Sequence, residues 1–144
     1  MYILDTDEFT MFTYGHTPIA QRVFRLDVSE VAISIVTVEE ILTGWYSALR
    51  QAKTISAEIQ AYSGLFRAAR GIQMIEVIPF SPDAVHRFHN LRKQYRRLGR
   101  MDLAIAAICL EFNTTLVTRN RIDFAQIAGL KIEDWSQPQA EGQT

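Results

Sequence analysis

The stretch Arg100-Met-Asp-Leu-Ala-Ile-Ala-Ala-Ile-Cys109 decides the fold, because it predicts a helix that is apolar on almost every side. Such a helix is buried inside a layered domain. A carboxylate, Asp102, nonetheless stands in its first turn. Asp102 could complement the positive end of the helix dipole, an effect of roughly 0.3–1 kcal/mol. It could equally belong to a group of acids at one edge of a sheet, and the rest of the chain bears on that choice.

Short apolar runs alternate with helical patterns on both sides of this helix. Strands are predicted at residues 2–4, 31–36, 74–78, 115–118 and 130–132, with the first as the central strand. The alternation predicts an α/β fold, a three-layer α/β/α sandwich with a mainly parallel central sheet of about four to five strands. We assign residues 1–135 to a single domain and expect residues 136–144 to form a disordered tail.

The composition excludes several classes of protein. With 144 residues, 48% of them hydrophobic, the chain can bury a real core, and its net charge of −1 excludes a generally basic protein that coats nucleic acid. The single cysteine, Cys109, rules out an internal disulfide and is expected in the core. Because no apolar run approaches the length of about 18 residues needed to span a bilayer, we expect a cytoplasmic protein without a membrane partner.

Several acids follow the predicted strands. Asp5 ends the first strand, Glu40 comes soon after the second, and Asp123 lies beyond the fourth. In parallel sheets, ligands bind outside the carboxyl ends of the strands, so these acids are expected at the ligand edge, and Asp102 could join them. An all-oxygen site of this kind suits Mg²⁺ or Mn²⁺, which can polarise a phosphate oxygen and lower the pKa of a bound water.

Each acid also has a purely structural interpretation. Thr37 and Glu40 have the spacing of a capping box, and Asp123 could be the N-cap of a short helix. Asp5 is harder to explain this way, because an acid that ends a buried strand needs partners. The shared position of the acids favours a joint metal site. Candidate supporting residues around it are Thr6, Asp7, Thr118 and Asn120.

The segment from His86 to Arg100 carries six cations, two histidines and no acid. It could be ordinary solvated surface, or it could follow the phosphates of a nucleic acid beside the acidic pocket. With no cysteine or third histidine nearby, a zinc site is not expected. The candidate RNA-binding residues are Lys93, Arg96, Arg97 and Arg100.

Taken together, these segments resemble the PIN domain, and most closely the VapC-type toxin ribonucleases of type II toxin–antitoxin pairs. The resemblance covers nearly the whole chain in the right order. The matching segments are Ile3-Leu-Asp-Thr-Asp7, Ser34-Ile-Val-Thr-Val-Glu-Glu-Ile-Leu-Thr-Gly44, Arg100-Met-Asp-Leu-Ala-Ile-Ala-Ala107, Leu116-Val-Thr-Arg-Asn-Arg-Ile-Asp-Phe124 and Gly129-Leu-Lys-Ile-Glu-Asp-Trp135.

The resemblance implies an acidic quartet that binds Mg²⁺ or Mn²⁺, with small hydroxyl residues beside it at Thr6 and Thr118. Asp7 departs from the family, which often has Asn there. Asn120 stands where many relatives carry an acid, so either Asp123 completes the site or Asn120 contributes only a water contact. By this likeness the catalytic, metal-binding residues are Asp5, Glu40, Asp102 and Asp123.

The same resemblance implies a metal-dependent endoribonuclease that leaves 5′-phosphate and 3′-hydroxyl ends, forms a homodimer, and is inhibited by a VapB-like antitoxin. One alternative is a haloacid-dehalogenase-type phosphatase that uses Asp5 and Asp7. The lysines argue against it, because none of Lys53, Lys93 and Lys131 directly follows an apolar strand. A second alternative is a non-catalytic PIN-like protein that binds RNA or a partner.

Overall fold

The structure is a computed structural model that describes residues 1–139. Within these residues the strands are β1 (Tyr2–Leu4), β2 (Val31–Ser34), β3 (Glu76–Ile78), β4 (Thr115–Val117) and β5 (Lys131–Glu133). The helices are α1 (Thr6–Thr13), α2 (Thr17–Arg25), α3 (Ile35–Gln51), α4 (Ile55–Gln73), α5 (Pro82–Gln94), α6 (Arg100–Glu111) and α7 (Arg121–Phe124). The alternation predicted from the sequence is confirmed, with α1 as an additional helix directly after β1.

The sheet has the order β3-β2-β1-β4-β5, and every neighbouring pair of strands is parallel. The predicted central position of β1 is confirmed: Leu4 pairs with Ile33 of β2 on one side and with Val117 of β4 on the other. The chain builds outward from β1 to β3 and then returns to build β4 and β5 on the opposite side. The order therefore reverses between β1 and β4, and a crevice for ligands is expected at that switch point.

Successive strand residues face opposite sides of the sheet. Ile3 and Leu116 face a core formed with α5 and α6, whereas Leu4 and Val117 face a second core formed with α1 and α2. Helix α6 is buried along its whole middle, Leu103–Cys109, as its sequence predicts. The predicted three-layer α/β/α sandwich is confirmed.

The start of α3 differs from the predicted capping box. Strand β2 ends at Ser34, two residues earlier than predicted, and the Ser34 side chain is the N-cap, accepting a hydrogen bond from the backbone N–H of Thr37 at 3.1 Å. The prediction that Thr37 caps the helix and Glu40 closes the box is therefore wrong. Because the helix begins at Ile35, Glu40 lies in its second turn and its carboxylate is available for other contacts.

Helix α4 packs on the rest of the molecule through small residues. Its buried positions are Ala61, Gly64, Ala68 and Gly71. Small residues let helix backbones approach one another closely, and here the indole of Trp45 on α3 lies directly over Gly64. The large apolar residues of α4 point outward instead, each between 57% and 79% exposed: Ile55, Ile59, Tyr62 and Phe66.

Gly64→Ala is expected to destabilise the fold by about 1–3 kcal/mol, because overpacking a tight contact forces neighbours to shift. A Cβ at this position would lie 2.2 Å from the Trp45 ring. Gly44→Ala on α3 is the matched control, since a Cβ there meets nothing within 4 Å; alanine in a helix interior should add about 0.5–1 kcal/mol. Urea denaturation of the two variants tests the contrast, and equal stabilities would contradict the close α3–α4 contact.

Trp135 is buried and its ring lies 4.9 Å from that of Tyr2, which ties the segment after β5 to the sheet. The predicted tail, residues 136–144, falls partly outside the described residues, which end at Gln139. No helix within residues 1–139 has both the length and the apolar character needed to cross a membrane.

Candidate active site

Asp5 and Thr118 flank the switch point of the sheet, where β1 and β4 end side by side. Asp5 is 9% exposed, and its backbone N–H donates to the carbonyl of Val117, which continues the β1–β4 ladder by one residue. The Asp5 side chain also caps α1. The first acid of the predicted site therefore lies where the topology places a ligand.

Both oxygens of the Asp5 carboxylate are held in place. Oδ1 accepts from the backbone N–H of Thr6 at 2.8 Å, and Oδ2 accepts from the hydroxyl of Thr118 at 2.9 Å. Burial raises the pKa of Asp5, these two hydrogen bonds oppose the rise, and the charge of Asp7 adds to it. The carboxylate is thus oriented by short contacts in a setting that disfavours its own charge.

Glu40 reaches the same site from α3. The hydroxyl of Thr6 donates to Glu40 Oε1 at 2.8 Å and lies 3.2 Å from the hydroxyl of Thr37. Burial raises the pKa of Glu40, the Thr6 hydrogen bond lowers it, and the charges of Asp5 and Asp7 raise it further. Thr6 therefore connects Asp5, which it binds through its backbone N–H, to Glu40 of α3, which it binds through its hydroxyl.

Asp102, in the first turn of α6, has the largest pKa shift of the acids at this site. Its pKa is raised to about 6, first by burial and then by the negative charges of Asp5, Glu40, Asp123 and Asp7. The helix N-terminus favours the charged form but does not offset these effects. Asp102 therefore lies close enough to the other acids to be repelled by them.

Asp123 is held by Asn120, the N-cap of α7. The amide Nδ2 of Asn120 donates to Asp123 Oδ2 at 3.0 Å, and its Oδ1 accepts from the backbone N–H of Asp123 at 3.4 Å. The interpretation of Asp123 as the N-cap is therefore wrong. Asn120 also donates its backbone N–H to the Thr118 hydroxyl at 3.0 Å, which links it to Asp5 through one side chain.

The donor set fits a hard divalent cation. Three acids at this edge, Asp5, Glu40 and Asp102, have raised pKa values because of burial and mutual repulsion, and a bound cation would relieve both effects. Within residues 1–139, however, no three histidine, cysteine, aspartate or glutamate side chains are already arranged as a metal site. The carboxylates lie near enough to affect one another's charge, and a tighter cluster of like charges would be costly without its ion.

Two contributors to this site were not recognised as such from the sequence. Ser34 and Thr37 are fully buried and connect through their hydroxyls, 3.4 Å apart, to the Thr6–Glu40 contact. The signal was present in the run Ser34-Ile-Val-Thr37, which is itself an N-cap followed by a helical turn. Asp7, which was predicted beside the site, is exposed but close enough to affect the charges of Asp5, Glu40 and Asp102.

The predicted RNA-binding residues lie between the last turn of α5 and the first residue of α6, and all are exposed: Lys93, Arg96, Arg97 and Arg100. The guanidinium of Arg100 lies 5.8 Å from the centre of the Phe88 ring, and Arg100 is the first residue of α6, two positions before Asp102. Exposed cations therefore approach the acidic site along the chain.

Comparison with known proteins places this geometry in a family. The PIN domain family matches residues 2–130. The chain is 26% identical over 140 residues to the tRNA(fMet)-specific endonuclease VapC of Shigella flexneri, covering 94% of this chain and 98% of that protein. It is 28% identical over 144 residues to the ribonuclease VapC1 of Haemophilus influenzae strain R2866, with coverage of 94% and 98%.

Solved structures of VapBC proteins are also similar to this chain. The chain resembles VapBC2 of Rickettsia felis, solved with a DNA fragment from its promoter, with a TM-score of 0.71, 26% identity and coverage of 93% of this chain and 98% of that one. It also resembles the DNA-bound VapBC of Salmonella typhimurium, with a TM-score of 0.69, 25% identity and coverage of 93% and 97%.

Proposed function

The chain belongs to the PIN domain family, and on that premise we propose that it is a divalent-metal-dependent endoribonuclease, the toxin of a toxin–antitoxin pair. The observation that carries the proposal is that acids from four separate elements approach one switch point. Burial, and then the charges of Asp5, Glu40 and Asp123, raise the pKa of Asp102 to about 6. The names of the VapC relatives as endonuclease and ribonuclease support the same chemistry.

In this proposal the cation, Mg²⁺ or Mn²⁺, is held by Asp5, Glu40, Asp102 and Asp123. When bound, it supplies polarisation of a phosphate oxygen and lowers the pKa of water. The hydrolysis adds a water oxygen to phosphorus and breaks the bond from phosphorus to O3′, so that the products carry 5′-phosphate and 3′-hydroxyl ends.

The remaining side chains orient the acids. Thr118 and the backbone of Thr6 orient Asp5, the Thr6 hydroxyl orients Glu40, and Asn120 orients Asp123. This assignment makes Asp123 the fourth acid and gives Asn120 a positioning role. Residues that orient metal ligands commonly change metal affinity or activity by about 10–100-fold when replaced.

The exposed cations from the end of α5 to the start of α6 would hold the RNA backbone beside the acids. Lys93, Arg96, Arg97 and Arg100 lie on one short segment with no acid among them, and this segment leads directly to Asp102. Contacts between cations and phosphates are independent of base sequence, so they position the strand while the choice of RNA depends on other contacts.

The test is cleavage of structured RNA, including initiator tRNA, by the full chain with Mg²⁺ or Mn²⁺ and with EDTA. We expect site-specific cuts only with the divalent ion, and products with 5′-phosphate ends. Hydrolysis of a small phosphomonoester without RNA cleavage would favour the dehalogenase-type alternative. RNA binding without cleavage under any metal condition would favour the non-catalytic alternative.

The exposed apolar residues of α4 support the proposal that this helix binds a protein partner. Ile59 and Phe66 are 60% and 69% exposed and lie on the same side of the helix, since they are seven residues apart. A continuous exposed apolar face of this kind typically receives an amphipathic helix. We assign this face to a VapB-like antitoxin, because the solved structures that the chain resembles are VapBC proteins; a homodimer remains our expectation for the free toxin.

Ile59→Lys/Phe66→Lys is expected to weaken antitoxin binding at least about 100-fold, because buried apolar anchors carry most of an interface's energy. RNA cleavage by the free variant should equal that of the wild type, since the face is separate from the acids. Val28→Lys, another exposed apolar position, is the control. Titration calorimetry with the antitoxin encoded beside the gene measures the effect; an unchanged affinity, or a loss of the homodimer instead, would contradict the assignment.

A further inference from the structure

Glu8 is the most buried charged residue among those described, at 1% exposed, and it is not one of the acids of the proposed site. It lies in the first turn of α1. Its Oε1 accepts a hydrogen bond from Nε of Arg119 at 2.9 Å, and the Arg119 side chain is 47% exposed. Within residues 1–139 its other oxygen, Oε2, is buried without a hydrogen-bond partner.

Stability is a weak reason for this arrangement. Burial raises the pKa of Glu8, and the hydrogen bond and charge of Arg119 oppose that rise. The desolvation of a buried ion pair often cancels the attraction within it, so that a well-packed apolar pair is frequently as stable. An orphaned carboxylate oxygen adds a further cost. The pair is better explained by its effect on the position of the chain segment around Arg119.

Arg119 is the middle residue of the segment Thr118–Asn120, which directly follows β4. The two outer residues contact the proposed site, because Thr118 donates to Asp5 and Asn120 donates to Asp123. The residue between them, Arg119, contacts α1 instead, through Glu8. The contact of Arg119 with Glu8 therefore restrains the segment that carries Thr118 and Asn120.

We propose that Glu8 and Arg119 are positioning residues of the nuclease site, which restrain Thr118 and Asn120 and through them orient Asp5 and Asp123. This rests on the proposed function, since it assigns the pair a role toward the metal and the phosphodiester. The pair ties α1, whose N-cap is Asp5, to the segment that leads into α7 and Asp123, across the switch point of the sheet.

A purely electrostatic role for Arg119 would change divalent-cation binding in the opposite direction. Arg119 lies close enough to Asp5 for its charge to lower that pKa. If this charge were its only effect, removing the cation would tighten divalent binding, because like charges repel. A loss of orientation weakens binding instead. Glu8→Met/Arg119→Met removes the link without changing net charge, which separates the two effects.

The experiment measures Mn²⁺ affinity by calorimetry, melting temperature, and kcat and KM for RNA cleavage in this double variant. We expect a Mn²⁺ dissociation constant about 10–100-fold higher than in the wild type. We also expect kcat to fall at least about tenfold while KM changes less than about threefold, as for a group that acts on the reacting centre rather than on RNA binding. Arg119→Lys, which keeps a charge opposite Glu8, should recover most of both losses.

The control is Arg87→Met/Glu111→Met, which removes a surface ion pair of 3.0 Å between α5 and α6 and should leave Mn²⁺ affinity unchanged. A folded double variant at Glu8 and Arg119 with wild-type Mn²⁺ affinity and kcat overturns the proposal, as does a rise in KM alone, which would make Arg119 an RNA contact. If the double variant does not fold, Glu8→Gln decides, since it keeps an acceptor for Arg119 and should show a smaller loss of the same kind. A wild-type chain that binds no Mn²⁺ overturns the proposed function itself.

Discussion

Asp5→Asn is expected to lower the rate of RNA cleavage at least about 10³-fold, because a metal ion supplies several kcal/mol of transition-state stabilisation and each 1.36 kcal/mol is tenfold in rate. Asp5 lies at the switch point and is held by Thr6 and Thr118. Asparagine keeps an oxygen for the Thr6 N–H, and the Thr118 hydroxyl can accept from its amide. The variant should therefore fold normally while it loses a charged ligand.

A single-turnover cleavage assay with Mg²⁺ measures the effect, and circular dichroism verifies the fold. Glu39→Gln is the matched control, because Glu39 is an exposed acid on α3 next to Glu40, and it is Glu40 that accepts the hydrogen bond from Thr6. We expect it to cleave at the wild-type rate. Cleavage by Asp5→Asn within tenfold of the wild type would remove Asp5 from the metal site.

Asp102→Asn is expected to stabilise the metal-free protein at neutral pH while abolishing cleavage. The pKa of Asp102 is about 6 in the folded chain against an ordinary value of 3.8. The folded state therefore holds this proton more tightly than the unfolded state does. As a result the metal-free wild type loses stability as the pH rises from about 4 to about 6, and above that range the loss stays constant.

Asparagine cannot ionise, so the variant avoids this loss. A pKa difference of about 2 corresponds to about 3 kcal/mol in a fully buried site. Because Asp102 is only half-buried, solvent screening reduces the expected gain at pH 7 to about 1–2 kcal/mol. Urea denaturation in EDTA at pH 4 and pH 7 measures it: the two proteins should be equally stable at pH 4 and differ at pH 7. A variant less stable than the wild type at pH 7 would mean that the carboxylate is not repelled by its neighbours.

The same pair of proteins tests metal binding without an activity assay. A ligand that binds only the folded state raises its stability. Millimolar Mg²⁺ or Mn²⁺ should therefore raise the melting temperature of the wild type and leave that of Asp102→Asn nearly unchanged. Equal shifts in the two proteins would place the cation away from Asp102.

Much of the fold could be predicted because it depends on local patterns. Short apolar runs separated by helical periods specify a parallel sheet, and the near-uniform apolar character of Leu103–Cys109 specifies a buried helix. The acids at strand ends were predictable for the same reason. Once the strands are parallel, their carboxyl ends share one edge, whatever the details of packing.

Local patterns failed where two structural roles compete for one residue. Glu40 has the spacing of a cap relative to Thr37, but Ser34 starts the helix earlier, and the carboxylate turns to Thr6. Likewise Asp123 could have been a cap until Asn120 took that role. In both cases the competing cap lies three residues before the N–H that it binds, and only the backbone course decides which one is used.

Helix α4 shows a further limit. Its periodicity is helical, yet the side that is buried carries Gly64 and Gly71, and the large apolar residues face outward. Periodicity identifies an apolar side but not the surface that covers it. A helix whose apolar side is exposed has the same sequence pattern as a helix whose apolar side packs on the core.

The sequence by itself determined the parallel sheet, the burial of α6 and the presence of acids at the strand ends, because these follow from hydrophobic periodicity along the chain. Only the tertiary structure decided that Asp102 is repelled by acids from three other elements, and that the Glu8–Arg119 pair restrains the loop after β4. Both depend on distances between residues remote in sequence. Such distances are set by how the layers pack, which no local pattern records.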